Sequence, residues 1–141
     1  MGLIKIPNEI LEKNPSEWTK NERDLYEKHA EYSIEIITER KLVLSDLARK
    51  IIMQHHERFG GGGYPKKVVG KRICIEAQIL GIADQFEELT AQTSGQRRLS
   101  PLEAMQILAK ETAGEGEQVN FDPELFKKLQ ALFPLPYHPL S

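Results

Sequence analysis

The chain has 141 residues, 40% hydrophobic and 28% charged, with a formal net charge of −2; this excludes a disordered or fibrous protein and fits one domain, 1–141, around a single core. The charge balance argues against a nucleic acid polymer as partner, since that affinity rests on excess Lys and Arg, and a lone cysteine, Cys74, excludes a disulfide framework and a thiolate metal cluster. No apolar run approaches the roughly 18 residues of a membrane span, and the N-terminus lacks a basic region and a small-residue cleavage site, so a cytoplasmic protein without a membrane span is expected.

The pattern predicts helix after helix, an all-α fold. Thr19-Lys20-Asn21-Glu22 reads as a capping box, with Trp18 placed to act as its hydrophobic staple. From there Leu25, His29, Tyr32, Ile36 and Ile37 recur at helical spacing, which predicts one helix to about Glu39 with His29 on its buried face. Ser45 is the N-cap of a second helix whose apolar face, Leu47, Ala48, Ile51 and Ile52, ends in His55 and His56 before four glycines, Gly60 to Gly63. A third helix is predicted over about Ile73 to Ala91. It is apolar on two sides, hence central, and Asp84 follows Leu80 by one turn, aiming a carboxylate inward. Ser100-Pro101-Leu102-Glu103 and Asp122-Pro123 open two shorter helices. Thr112 to Asn120 links them, and a proline-rich tail, 133–141, is expected to be extended.

His29, His55, His56 and Asp84 thus fall where buried side chains are predicted. Singly, each histidine reads as a hydrogen-bonded core residue. Together, neutral imidazoles and a carboxylate form the ligand set that suits Fe, Mn, Zn or Ni, and an ionised buried aspartate is costly without a cation. Neighbouring helix residues diverge by about 100°, so His55 and His56 reach one ion at a helix end, or serve two neighbouring ions. A metal pair activates water and clamps a phosphoryl group, which makes phosphodiester hydrolysis the natural chemistry. Cys74 reads as a core filler. The glycine run fits either a flexible connection or close backbone approach beside a site with Tyr64 at its mouth. Lys66, Lys67, Lys71 and Arg72 either meet an anion or form a solvated loop.

At His55-His56-Glu57-Arg58-Phe59-Gly60-Gly61-Gly62-Gly63-Tyr64-Pro65 the sequence resembles the HD-GYP family of metal-dependent phosphodiesterases that open cyclic di-GMP in bacterial signalling. Ile82-Ala83-Asp84 and Phe121-Asp122-Pro123 are similar to two further family segments, and His29 falls at a family histidine. The resemblance implies an HD-domain-like helical bundle with a GYP loop. It implies His29, His55, His56 and Asp84 as ligands of a divalent transition metal, Tyr64 as catalytic, and Gly63, Tyr64 and Pro65 against a cyclic dinucleotide. Aligning on Pro7 places the family's His-Asp pair just before Met1, and Leu3 stands where the family has a lysine. Where the family carries basic residues on the substrate phosphates, ungapped counting gives Thr93 and Gln96; Arg97 and Arg98 can take that role after a small shift. Two readings follow: a phosphodiesterase domain impaired as this chain stands, or a non-catalytic module that binds a signalling protein through its GYP loop. Helices left partly uncovered imply a homo-oligomer.

Overall fold

The computed structural model describes residues 2–91, 97–114 and 116–132. The tail 133–141 and the positions Thr93 and Gln96 lie outside the described residues. Among the described residues there are seven α-helices and no strand: α1 (Asn8–Leu11), α2 (Lys20–Glu27), α3 (His29–Glu39), α4 (Asp46–Gln54), α5 (Ile75–Thr90), α6 (Pro101–Glu111) and α7 (Pro123–Leu132). Short 3₁₀ turns lie at Gly2–Lys5, Pro15–Glu17, Gly70–Arg72 and Gly116–Gln118. The all-α fold is as the sequence predicts, and no helix is long and apolar enough to cross a membrane among the described residues.

The capping residues act as their chemistry requires. Thr19 and Glu22 form a reciprocal box at the start of α2, and Ser100 and Glu103 form another at α6. The Ser45 side chain accepts from the Ala48 N–H at 3.1 Å, and Asp122 Oδ1 accepts from the Glu124 N–H at 2.9 Å. Cys74 precedes α5 without capping it by its side chain; Gln54 Oε1 accepts the Cys74 N–H at 2.9 Å instead, so the end of α4 fastens the start of α5.

The predicted helix from Thr19 to Glu39 is two helices, broken at Lys28. The Lys28 N–H bonds back to Leu25 and Tyr26, and the His29 ring takes the Tyr26 carbonyl at 2.8 Å, so local bonds displace the regular ladder. Trp18 also differs from a simple apolar staple. Its ring lies 4.6 Å from that of Tyr26, under the Arg23 guanidinium, and its indole N–H donates to the Ile10 carbonyl, tying α1 to α2.

Helix α4 packs between α3 and α5, and α6 packs against α5 beyond it, while α3 also holds the N-terminal turn. The main core joins Ile82 of α5, Leu108 of α6, Phe121 just before α7 and Phe126 within it. Helix α5 is central in order, yet Ile75 is 60% exposed, and Cys74 is only half-buried. An apolar groove of about 360 Å³ runs between α5, α6 and α7, lined by Ile79, Phe86, Met105 and Leu129 among others.

Candidate metal centre

Helix α4 stops one residue short of His55, so His55 and His56 occupy the turn at its C-terminus. His29 opens α3, which packs alongside. One ligand atom from each of the three lies within 4.8 Å of the others, and the ring centres of His55 and His56 are 4.2 Å apart. The helix end resolves the divergence that adjacent histidines suffer in mid-helix. Gly81 of α5 makes the close packing possible, because a Cβ there would stand 2.8 Å from the His55 carbonyl oxygen.

Backbone carbonyls set two of the rings. His29 Nδ1 lies 2.8 Å from the Tyr26 oxygen and His55 Nδ1 lies 2.7 Å from the Ile52 oxygen. A carbonyl only accepts, so each Nδ1 carries the proton and donates, which leaves each Nε2 lone pair free for a cation. Burial lowers the pKa of His29 and lowers that of His56 to about 2, with the neighbouring His55 adding to the fall in both. His29 and His56 are therefore held neutral, the form in which imidazole binds a metal. Three convergent imidazoles are a donor set that fits a divalent transition ion.

Asp84 is half-buried and lines the same cavity of about 690 Å³ as the histidines, one turn from Leu80, though it stands outside the three-histidine group itself. Leu3, Tyr26, Glu87 and Glu88 also face this cavity, and none of these is a site residue expected from the sequence. The spacing held part of the signal: Glu88 follows Asp84 by one turn, and Tyr26 precedes His29 by three residues.

Tyr64 stacks on His56, and burial raises its pKa, so its hydroxyl keeps its proton. The Tyr64 N–H donates to the His56 carbonyl at 3.1 Å, and the Tyr64–Pro65 bond is cis. Gly63 is buried where the loop folds back on its own start, and a Cβ would overlap the Arg58 nitrogen and the His56 carbonyl oxygen. Glu57, which the sequence offered only as a letter of the motif, is buried beneath the loop, its carboxylate accepting backbone N–H groups of Lys66 and Val68. Arg97 points elsewhere. It is paired with Glu103 at 2.6 Å at the start of α6 and is absent from the described cavity lining.

An all-α bundle that gathers three histidines at a helix end has the donor set of a metal-binding helical domain. The chain belongs to the HD domain family, whose profile matches residues 1–125, and its relatives place it in the HD-GYP branch. It is 35% identical over 129 residues to the 3'3'-cGAMP-specific phosphodiesterase 2 of Vibrio cholerae serotype O1, covering 92% of this chain and 24% of that protein. It is 35% identical over 89 residues to the cyclic di-GMP phosphodiesterase response regulator RpfG of Xanthomonas campestris pv. campestris, covering 63% of this chain and 23% of that one. Identity to a cyclic di-GMP phosphodiesterase of Thermotoga maritima is 30% over 92 residues, 65% of this chain and 25% of the relative. The chain thus spans about a quarter of the length of these relatives.

Proposed function

We propose that this chain is a metal-dependent phosphodiesterase domain acting on a cyclic dinucleotide. The observation that carries this reading is the convergence of His29, His55 and His56, with the Nδ1 atoms of His29 and His55 turned to backbone carbonyls and their Nε2 atoms left for a cation. These residues would hold a divalent transition ion, Fe, Mn, Ni or Zn, with Asp84 facing the same cavity. Such an ion supplies an activated water and a positive charge for the phosphate oxygens. Tyr64, with its proton retained, offers a hydrogen-bond donor beside His56, but Gly63, Tyr64 and Pro65 lie behind His56 and are not among the residues that line the cavity.

The cavity bears carboxylates at Asp84, Glu87 and Glu88, and no Lys or Arg lines it among the described residues. With Arg97 held by Glu103, little protein charge meets the phosphates, so the activity of this chain by itself is slow and rests wholly on bound metal. Incubation of manganese- or iron-loaded protein with cyclic di-GMP and 3'3'-cGAMP, followed by chromatography, tests this. Slow appearance of a linear dinucleotide, lost in His55→Ala, is the expected result.

A second reading, a non-catalytic module that docks a signalling protein through the GYP loop, draws on the exposure of Lys66, Lys67 and Val69 at the outer edge of that loop. It requires that metal-loaded protein yield no product from either cyclic dinucleotide.

A further inference from the structure

The three histidines are not oriented by the same means. His29 and His55 each donate Nδ1–H to a carbonyl of the preceding turn. Among the described residues no hydrogen bond holds the His56 ring; what lies flat against it is Tyr64. The rings of His29 and His55 also pack on His56, at 4.6 and 4.2 Å, but they are ligand candidates themselves, so Tyr64 is the contact through which the GYP loop bears on the His56 ring. Tyr64 is tied on one side by its own N–H to the His56 carbonyl. On the other side the chain runs through Pro65 to a second anchor, the carboxylate of Glu57.

Glu57 is 4% exposed, and each of its oxygens accepts a backbone N–H: Oε1 from Lys66 at 2.7 Å and Oε2 from Val68 at 2.9 Å. Two N–H groups two residues apart converge on one carboxylate because Lys67 between them takes the left-handed conformation, φ 53°. Lysine adopts that conformation only at a cost, so the loop is shaped by the buried carboxylate and not by the preference of its own residues. Charge-assisted bonds to backbone N–H groups in a buried setting are among the stronger neutral-to-ion contacts available to a loop.

We propose that Glu57 is a positioning residue for the metal centre: its carboxylate ties down the backbone at Lys66 and Val68, and that tie holds Tyr64 against His56. The proposal rests on the reading of the histidines as metal ligands for its second half only. The carboxylate itself touches no histidine ring; it acts through the loop, as an outer partner that sets the aim of a ligand.

Amide hydrogen exchange on the metal-free chain and cobalt titration followed by its visible absorption test the two halves separately. In Glu57→Gln the side chain offers one accepting oxygen in place of two, so Lys66 or Val68 should exchange about tenfold faster or more. Phe59 and Gly60, in the same loop but bonded to the Asn120 and Val119 carbonyls, should keep their wild-type rates. Cobalt affinity should fall about tenfold and the absorption bands should shift. Unchanged exchange at both amides overturns the proposal, and so does faster exchange with cobalt binding unaltered. If Glu57→Gln fails to melt cooperatively, Tyr64→Leu takes its place: it should weaken cobalt binding while Lys66 and Val68 stay as slow as in the wild type, and unaltered cobalt binding overturns the proposal. A wild-type chain that takes up no cobalt refutes the metal reading and the second half with it, while amide exchange still decides the first.

Discussion

Tyr64 lies stacked on His56, ring centres 4.8 Å apart and ring planes 13° from parallel. The stack makes the aromatic ring and the hydroxyl separable parts of one side chain. Tyr64→Phe keeps the ring and should leave metal affinity within about threefold of wild type, whereas Tyr64→Leu should weaken it about tenfold. If the hydroxyl donates to substrate, Tyr64→Phe lowers turnover of a cyclic dinucleotide without lowering metal content. Metal analysis beside the product assay reads both.

Acid should destabilise the metal-free protein in a defined window. His29 and His56 have folded-state pKa values below the ordinary 6.5, chiefly through burial, with His56 near 2. Below about pH 6.5 the unfolded chain takes up protons that the folded chain refuses, so stability falls as pH drops, by at most about 1.4 kcal/mol per pH unit for each histidine. Above that pH these groups contribute no dependence. Glu27 and Glu111 have their carboxyl pKa values raised by burial and act in the opposite sense at the lower end. Urea midpoints at pH 7.5, 6.5 and 5.5 should fall in the wild type and fall less steeply in His56→Gln.

Gly63→Ala should cost about 2 kcal/mol or more, because the added methyl meets backbone on both sides and no flexible side chain can yield to it. The variant should show a lower melting temperature together with loss of metal binding, since the displaced atoms belong to His56 and Arg58. Equal melting temperatures for variant and wild type would mean that the loop sits farther from its base than its described position.

Leu108 is fully buried at the junction of α5, α6 and α7. Leu108→Ala should destabilise by about 2–5 kcal/mol, less if the neighbouring groove collapses into the space. Chemical denaturation gives the value, and metal affinity in the folded population should stay unchanged because the histidines belong to α3 and the end of α4.

Much of this fold was legible where a single residue does a local job. Thr19, Ser45, Ser100 and Asp122 each bond to N–H groups two or three residues away, and such bonds leave their mark in sequence spacing. The site's histidines were legible for a related reason, as polar residues at apolar positions of a helical period. The break at Lys28 was not, because the apolar period runs through it unbroken while the cause is a ring bonding to a carbonyl three residues back. Arg97 could be seen as a charge, but its partner Glu103 lies across a loop and the capping box that fixes Glu103 does not reveal a second bond. Glu57 was hidden for the opposite reason to the caps: its partners are nine and eleven residues ahead, and they are backbone groups, which every sequence possesses.

That last fact bears on how this surface can change over evolutionary time. A carboxylate that reads amides and not side chains makes no demand on what residues 66 and 68 are, save that neither is proline. Mutations there can rewrite the outward chemistry of the loop, from basic to acidic to apolar, while its contour is kept from beneath by an unseen residue. The loop is thus a frame with interchangeable lettering, and lineages sharing one metal centre can diverge in what they display beside it.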